Sequence, residues 1–182
     1  MSSERKIKQN TYINVFVKAF WFLVLFVIFH TGYDITKWQF LRPFCGINES
    51  VFQHLKMAFW AYISLSFIEF FVSKKRIKNF VQFLYSRMLS SIFVPWVIFI
   101  IWYIIPVIHG KIYNFFGDLF WALIVTYMSG LFVIIIEKDV EASKLSNLTK
   151  VILIFLFFAL AFLFIYCSYH LPWIDVFTLP KY

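Results

Sequence analysis

The chain has 182 residues, 62% of them apolar and 24% aromatic, with 14% charged and a mean hydropathy of +0.80. Soluble domains run roughly 45–50% apolar and about 25% charged, and one of this size buries only about 70% of its unfolded surface. The composition therefore excludes a soluble enzyme, a nucleic-acid-binding domain and a disordered chain, and identifies an integral membrane protein. Five Gly and five Pro are too few for a fibrous or loop-rich protein. The net charge of +8, from 17 basic and 9 acidic residues, is read as a topology signal, since Lys and Arg favour the cytoplasmic side.

A helix needs about 20 largely apolar residues to cross the hydrocarbon core, and five stretches qualify. The basic start Arg5, Lys6, Lys8 leads into the first, residues 12–31. No small-residue cleavage site follows and bulky Phe and Trp continue the run, so an uncleaved span is expected rather than a signal peptide. A polar segment with Asp34, Lys37, Arg42, Pro43 and Gly46 separates it from the second span, residues 49–72. Asn48 is its predicted N-cap, and Glu49 lies at the positive end of the helix dipole. Ser73-Lys74-Lys75-Arg76-Ile77-Lys78 ends it.

The third stretch, from Val81 to Ile108, is roughly 42 Å long at the helical rise, more than a core of about 30 Å. Tyr85, Ser86 and Arg87 are therefore expected in the headgroup layer, with the crossing over residues 88–108. Pro95 and Pro106 should kink it unless Ser90, Ser91 or neighbouring helices satisfy the freed carbonyls. His109-Gly110-Lys111 makes a turn into the fourth span, residues 114–136, where Ser129-Gly130 offers a patch for close helix packing. Glu137 to Lys150 reads as a polar loop. The fifth span covers residues 151–169, and His170 to Tyr182 is a short tail. No repeat, low-complexity tract or second domain is legible, so the expected fold is a single all-α polytopic transmembrane bundle.

Orientation follows from counting. With the N-terminus cytoplasmic, one side holds Arg5, Lys6, Lys8, Lys18, Lys74, Lys75, Arg76, Lys78, Arg87, Lys138, Lys144 and Lys150, 12 of the 17 basic residues; Lys37, Arg42, Lys56, Lys111 and Lys181 lie on the other. The bias predicts a multi-pass plasma-membrane protein with its N-terminus inside and C-terminus outside.

That topology carries all four histidines to the outer face: His30, His54, His109 and His170. Each has an acid nearby, Asp34, Glu49, Asp118 and Asp175. Ionisable groups in or near hydrocarbon are costly and mark interior or wet sites, and His54, Lys56 and Asp118 lie inside spans. Asn48 to Lys56 is the densest polar run; Ser50 and His54 share one helix face and Glu49, Gln53 and Lys56 the next. Its bland reading is a helix start in the headgroup layer, with Glu49 pairing Lys56 and Lys56 snorkelling outward.

Two chemistries fit. In one, two or three of His30, His54, His109 and His170, with a carboxylate such as Asp175, bind Zn²⁺ and lower the pKa of a bound water. In the other, His54 with Glu49 or Asp118 acts as general acid and base without metal. No H-E-x-x-H spacing is present, and a serine one turn before a histidine, as in Ser50 and His54, is common by chance. Cys45 and Cys167 fall on the same side, where an oxidising compartment permits a disulfide; buried unpaired thiols are the alternative.

The block Asn48-Glu49-Ser50-Val51-Phe52-Gln53-His54-Leu55-Lys56 resembles a family of small bacterial polytopic membrane proteins with a similar N-E-S-[VI]-[WF]-x-H-L-K stretch at the start of the second span. The likeness extends to His30 and the acid after it, to Ile68-Glu69-Phe70, and to His170-Leu171-Pro172 with Asp175. It implies a shared fold and no particular reaction. The chain departs from the pattern at Gly32-Tyr33-Asp34 and in its tail. Ser50-x-x-x-His54 is more distantly similar to the membrane hydrolase and receptor superfamily that includes alkaline ceramidases and progestin/adiponectin receptors. Those proteins have seven spans and an H-x-x-x-H pair, which this chain lacks.

The residues together point to a membrane-embedded hydrolase or transferase acting at the outer leaflet on a lipid or lipid-linked substrate. The alternatives are a solute-capture subunit of a transporter and a non-catalytic scaffold. The expected partners are the bilayer, a lipid-like or small-molecule substrate, and a further copy or membrane subunit, with no nucleic acid.

Overall fold

The computed structural model describes residues 13–110, 114–170 and 172. They form five α-helices, α1 (Val15–Thr36), α2 (Val51–Ser73), α3 (Phe80–His109), α4 (Phe115–Ala142) and α5 (Asn147–Tyr169), with a 3-10 turn at Gln39–Leu41 and no strand among the described residues. All five are long and apolar enough to cross a membrane. The fold is therefore that of a multi-pass membrane protein, as the composition requires.

Side-chain caps set several of the starts. Asn14 Oδ1 accepts from Phe16 N at 2.9 Å, Asn114 Oδ1 from Phe116 N at 3.1 Å and Ser146 Oγ from Thr149 N at 3.1 Å. Each satisfies an amide that the first turn leaves without an intrahelical partner. At α2 the expected cap moves by two residues: Ser50 occupies the N-cap position, and Asn48 Oδ1 accepts from Ser50 N at 3.0 Å in a local turn.

Helix ends also differ from the sequence reading: α1 and α2 begin three and two residues later than expected, while α3, α4 and α5 run longer. α3 begins at Phe80, so Arg87 lies two turns inside it and is 5% exposed, packed within the bundle. The helix passes Pro95 and Pro106 without interruption. α4 continues to Ala142, through the start of the expected polar loop, and α5 begins four residues before Val151. In α3 and α4 the charged residues near these ends, Arg87, Glu137 and Glu141, find partners inside the bundle; the earlier start of α5 is set by the Ser146 cap.

α1 to α4 form a ring in which each packs on the next and α4 closes against α1, while α5 lies outside, against α3 and α2. The ring core holds Phe22, Phe26, Ala58, Ala61, Tyr62, Val94, Val125 and Ile134. A second cluster, Phe52, Leu55, Phe59, Phe164 and Cys167, seats α5 on α2. Ser129-Gly130 packs closely as expected: a Cβ at Gly130 would stand 2.8 Å from Phe22 Cδ1. Outward faces carry large apolar side chains such as Phe155, Phe158 and Phe162, appropriate to lipid contact.

Candidate metal centre at the α1–α2 end

The segment between α1 and α2 builds the site by folding back. Lys37 takes a left-handed conformation (φ 55°) and its N–H donates to Tyr33 O at 2.7 Å, closing α1. The 3-10 turn follows, and Gly46 N then donates to Phe29 O at 3.0 Å. Glycine eases the close approach, since a Cβ would stand 2.7 Å from Met57 Sδ and the methionine would have to shift. This return places Glu49 over the last turns of α1, next to His30.

The outcome is a compact group. His30 Nε2 lies 3.4 Å and His54 Nε2 3.5 Å from Glu49 Oε2. The candidate ligand atoms of the three residues all fall within 4.8 Å of one another. The two imidazoles are 5.4 Å apart between centroids. His54 Nδ1 sits 2.9 Å from the Ser50 carbonyl; with Nδ1–H donating there, Nε2 presents its lone pair to the cluster, as metal-binding histidines are usually held. Phe26 and Trp102 stack near His54 at 6.5 and 6.4 Å, and Trp121 Nε1 donates to Trp102 O at 3.3 Å, tying α4 to α3. Glu49 is 59% exposed and both imidazoles about a third, so the cluster is open on one side. The hydrogen bond with His30 holds the Glu49 carboxyl below its usual value, against partial burial that pushes it up; the two imidazoles add a smaller Coulombic pull downward.

The donor set suits zinc. Zn–N and Zn–O distances of about 2.0–2.1 Å in a tetrahedron give ligand-to-ligand edges of about 3.3–3.4 Å, and two edges here are 3.4 and 3.5 Å. Two histidines and one glutamate with an open position are a donor set of catalytic zinc, whereas structural sites are closed by four protein ligands.

Of the residues expected at the site, His30, Glu49 and His54 come together. Asp118 lies half-buried in the first turn of α4 and interacts electrostatically with His54. His170 does not join the group: it is exposed at the end of the peripheral α5, its ring 4.7 Å from Tyr166. Asp175 and the side chain of His109 lie outside the described residues. Glu49 pairs with the imidazoles and not with Lys56. Lys56 does not snorkel; it is fully buried, donating to Arg42 O at 2.6 Å and Ser168 Oγ at 3.0 Å. His54 touches the main-chain oxygen of Ser50 and not its hydroxyl. Cys45 and Cys167 are both buried and free.

The opposite end of the ring holds a second polar group that pattern reading missed. Lys18 of α1 lies 2.6 Å from Glu69 of α2 and also pairs with Glu137 of α4. Arg87 of α3 lies 3.0 Å from Glu69, 3.6 Å from Glu137 and pairs with Glu141. Tyr62 Oη donates to Glu137 at 2.8 Å. The legible signal was charge on each of four helices, within about two turns of the same end, with sign alternating from helix to helix.

Comparison with protein-family models, with curated proteins and with solved structures gives no match to this chain. Fold and site alone define its class, a multi-pass helical membrane protein with a His₂Glu cluster at one end.

Proposed function

We propose that the protein is a multi-pass plasma-membrane hydrolase or transferase that holds a divalent transition metal, zinc by its donor set, and acts on a lipid or lipid-linked substrate at the extracytoplasmic face. The observation that carries this is the convergence of His30 from α1, Glu49 from the connecting segment and His54 from α2, with ligand atoms within 4.8 Å. Bound zinc supplies a water with a pKa near 7 and polarises a carbonyl or phosphoryl oxygen. The protein's part is to fix the donors: the Ser50 carbonyl orients His54, and the Gly46 fold-back brings Glu49 to His30. Asp118, in the first turn of α4 and within electrostatic reach of His54, is the proton acceptor. Phe26 and Trp102 give an apolar wall against the imidazoles, which supports a lipid-like substrate.

The orientation rests on the basic-residue bias. Setting aside buried Lys18, Arg87 and Lys56, which report packing and not topology, the count is 10 basic residues inside against 4 outside.

Elemental analysis of detergent-purified protein beside a His54→Ala variant, with hydrolysis assays on ester- and phosphoester-linked lipids, tests the proposal. Stoichiometric zinc and turnover, both lost in the variant, are expected. Absence of metal from the wild type removes the reading. Metal without turnover transfers the cluster to the solute-capture alternative.

A further inference from the structure

At the end opposite the His₂Glu cluster, a groove of about 280 Å³ opens between α2, α3 and α5. Its walls are almost wholly apolar, with Ile63, Phe70, Phe80, Phe83 and Phe157 among them. Arg87 is among its lining residues, with its guanidinium 3.9 Å from the Phe83 centroid and its charge already matched by Glu69 and Glu141. An apolar cleft between membrane-spanning helices suits an acyl chain better than water.

The rim of this groove is basic by construction. Phe70, near the end of α2, and Phe80, the first residue of α3, both line it. The chain between them carries Lys74, Lys75, Arg76 and Lys78. Lys74 Nζ reaches to 6.0 Å from the Phe70 ring centroid. Among the described residues, Lys74, Lys75 and Lys78 form no salt bridge with a carboxylate, so their charge is offered to the membrane surface. Basic clusters immediately beside a span, and basic pockets between spans, attract anionic lipid headgroups. Charge complementarity at the rim and an acyl-sized cleft below it meet on the same two helix ends.

From this juxtaposition we infer that the groove is a binding site for one anionic glycerophospholipid of the leaflet at the α2–α3 end, its acyl chain against Phe70, Phe83 and Phe157 and its phosphate against Lys74, Lys75 and Lys78. By the basic-residue bias this is the cytoplasmic leaflet. The site is independent of the metal cluster and of any reaction there.

Native mass spectrometry of the full chain tests it, with phosphatidylglycerol and phosphatidylcholine of identical acyl chains added in turn. A single phosphatidylglycerol adduct is expected at concentrations where phosphatidylcholine gives none. Each rim lysine contributes about fivefold at low ionic strength, so K74Q/K75Q/K78Q weakens the adduct about a hundredfold. Leu84, which lines the groove and is 42% exposed, provides the second variant. Leu84→Trp fills the cleft with every charge in place and should also remove the adduct. Equal binding of the two lipids overturns the inference. So does a Leu84→Trp protein that keeps the full adduct, because binding then needs only a charged surface. The rim substitutions lie in a surface loop and leave the fold intact, so they remain decisive should Leu84→Trp misfold.

Discussion

The Lys18 ammonium lies 2.6 Å from the Glu69 carboxylate, with both side chains about 2–3% exposed and the two residues 51 positions apart in the chain. This contact, with Glu137 and Arg87, fastens four helices together at one end of the ring. Breaking one member of a buried pair strands the other charge and costs about 3–5 kcal/mol, whereas removing both partners together is far milder. Lys18→Met should therefore lower the unfolding temperature in detergent sharply, and Lys18→Met with Glu69→Gln should recover much of the loss. A single variant as stable as wild type would show that the pair does not hold the bundle.

Gly130 and Gly46 are both crowded, by different neighbours. A Cβ at Gly130 meets the buried Phe22 ring, and at Gly46 it meets the flexible end of Met57. An aromatic ring in a packed core yields only by moving helices, at about 1–3 kcal/mol, while a methionine changes rotamer cheaply. Gly130→Ala is expected to destabilise markedly and Gly46→Ala much less, as read by thermal unfolding.

Metal affinity separates side chain from main chain at the start of α2. Glu49→Gln or His30→Ala removes a donor, and binding should weaken by more than the 10- to 100-fold typical of losing a supporting hydrogen bond. Ser50→Ala should leave it nearly unchanged, since His54 is held by the carbonyl of Ser50. Isothermal titration with Zn²⁺ distinguishes the two.

Acid should act on Glu49 in a defined direction. Its carboxyl is held below the ordinary value of 4.5 by His30, so the folded state prefers it ionised. That contribution is present above pH 4.5 and is lost as pH falls through the lower folded value. The stability gap between metal-free wild type and Glu49→Gln should close as the pH drops below 4.5; a gap that widens there contradicts the arrangement.

Cys45 behaves oppositely. Burial pushes its thiol above the usual value of 9.0, so the folded state keeps it protonated. Its contribution is present below about pH 9 and is lost as pH rises through the folded value. A maleimide should label Cys45 slowly at pH 8 in the folded protein and at the rate of a free thiol after denaturation; rapid labelling of the folded protein would place it at the surface.

Sequence alone determined the class of this protein and the number of its helices, because apolar stretches of bilayer length have few alternatives: the backbone must satisfy its own hydrogen bonds in lipid, and only a helix does so within one segment. It also singled out Glu49 and His54, which share a short block, and the Ser129-Gly130 contact surface. What only the tertiary structure decided are the relationships between segments. That His30 joins Glu49 and His54 while His170 stands apart depends on the fold-back at Gly46 and on α5 lying outside the ring. That Lys18, Lys56 and Arg87 point inward, where composition alone placed them among topology-setting surface charges, depends on Glu69, Glu137, Glu141, Arg42 and Ser168 arriving from other helices and from the α1–α2 loop. A charge at a helix end is equally at home in water or in a pair, and only the partner's position in space settles which.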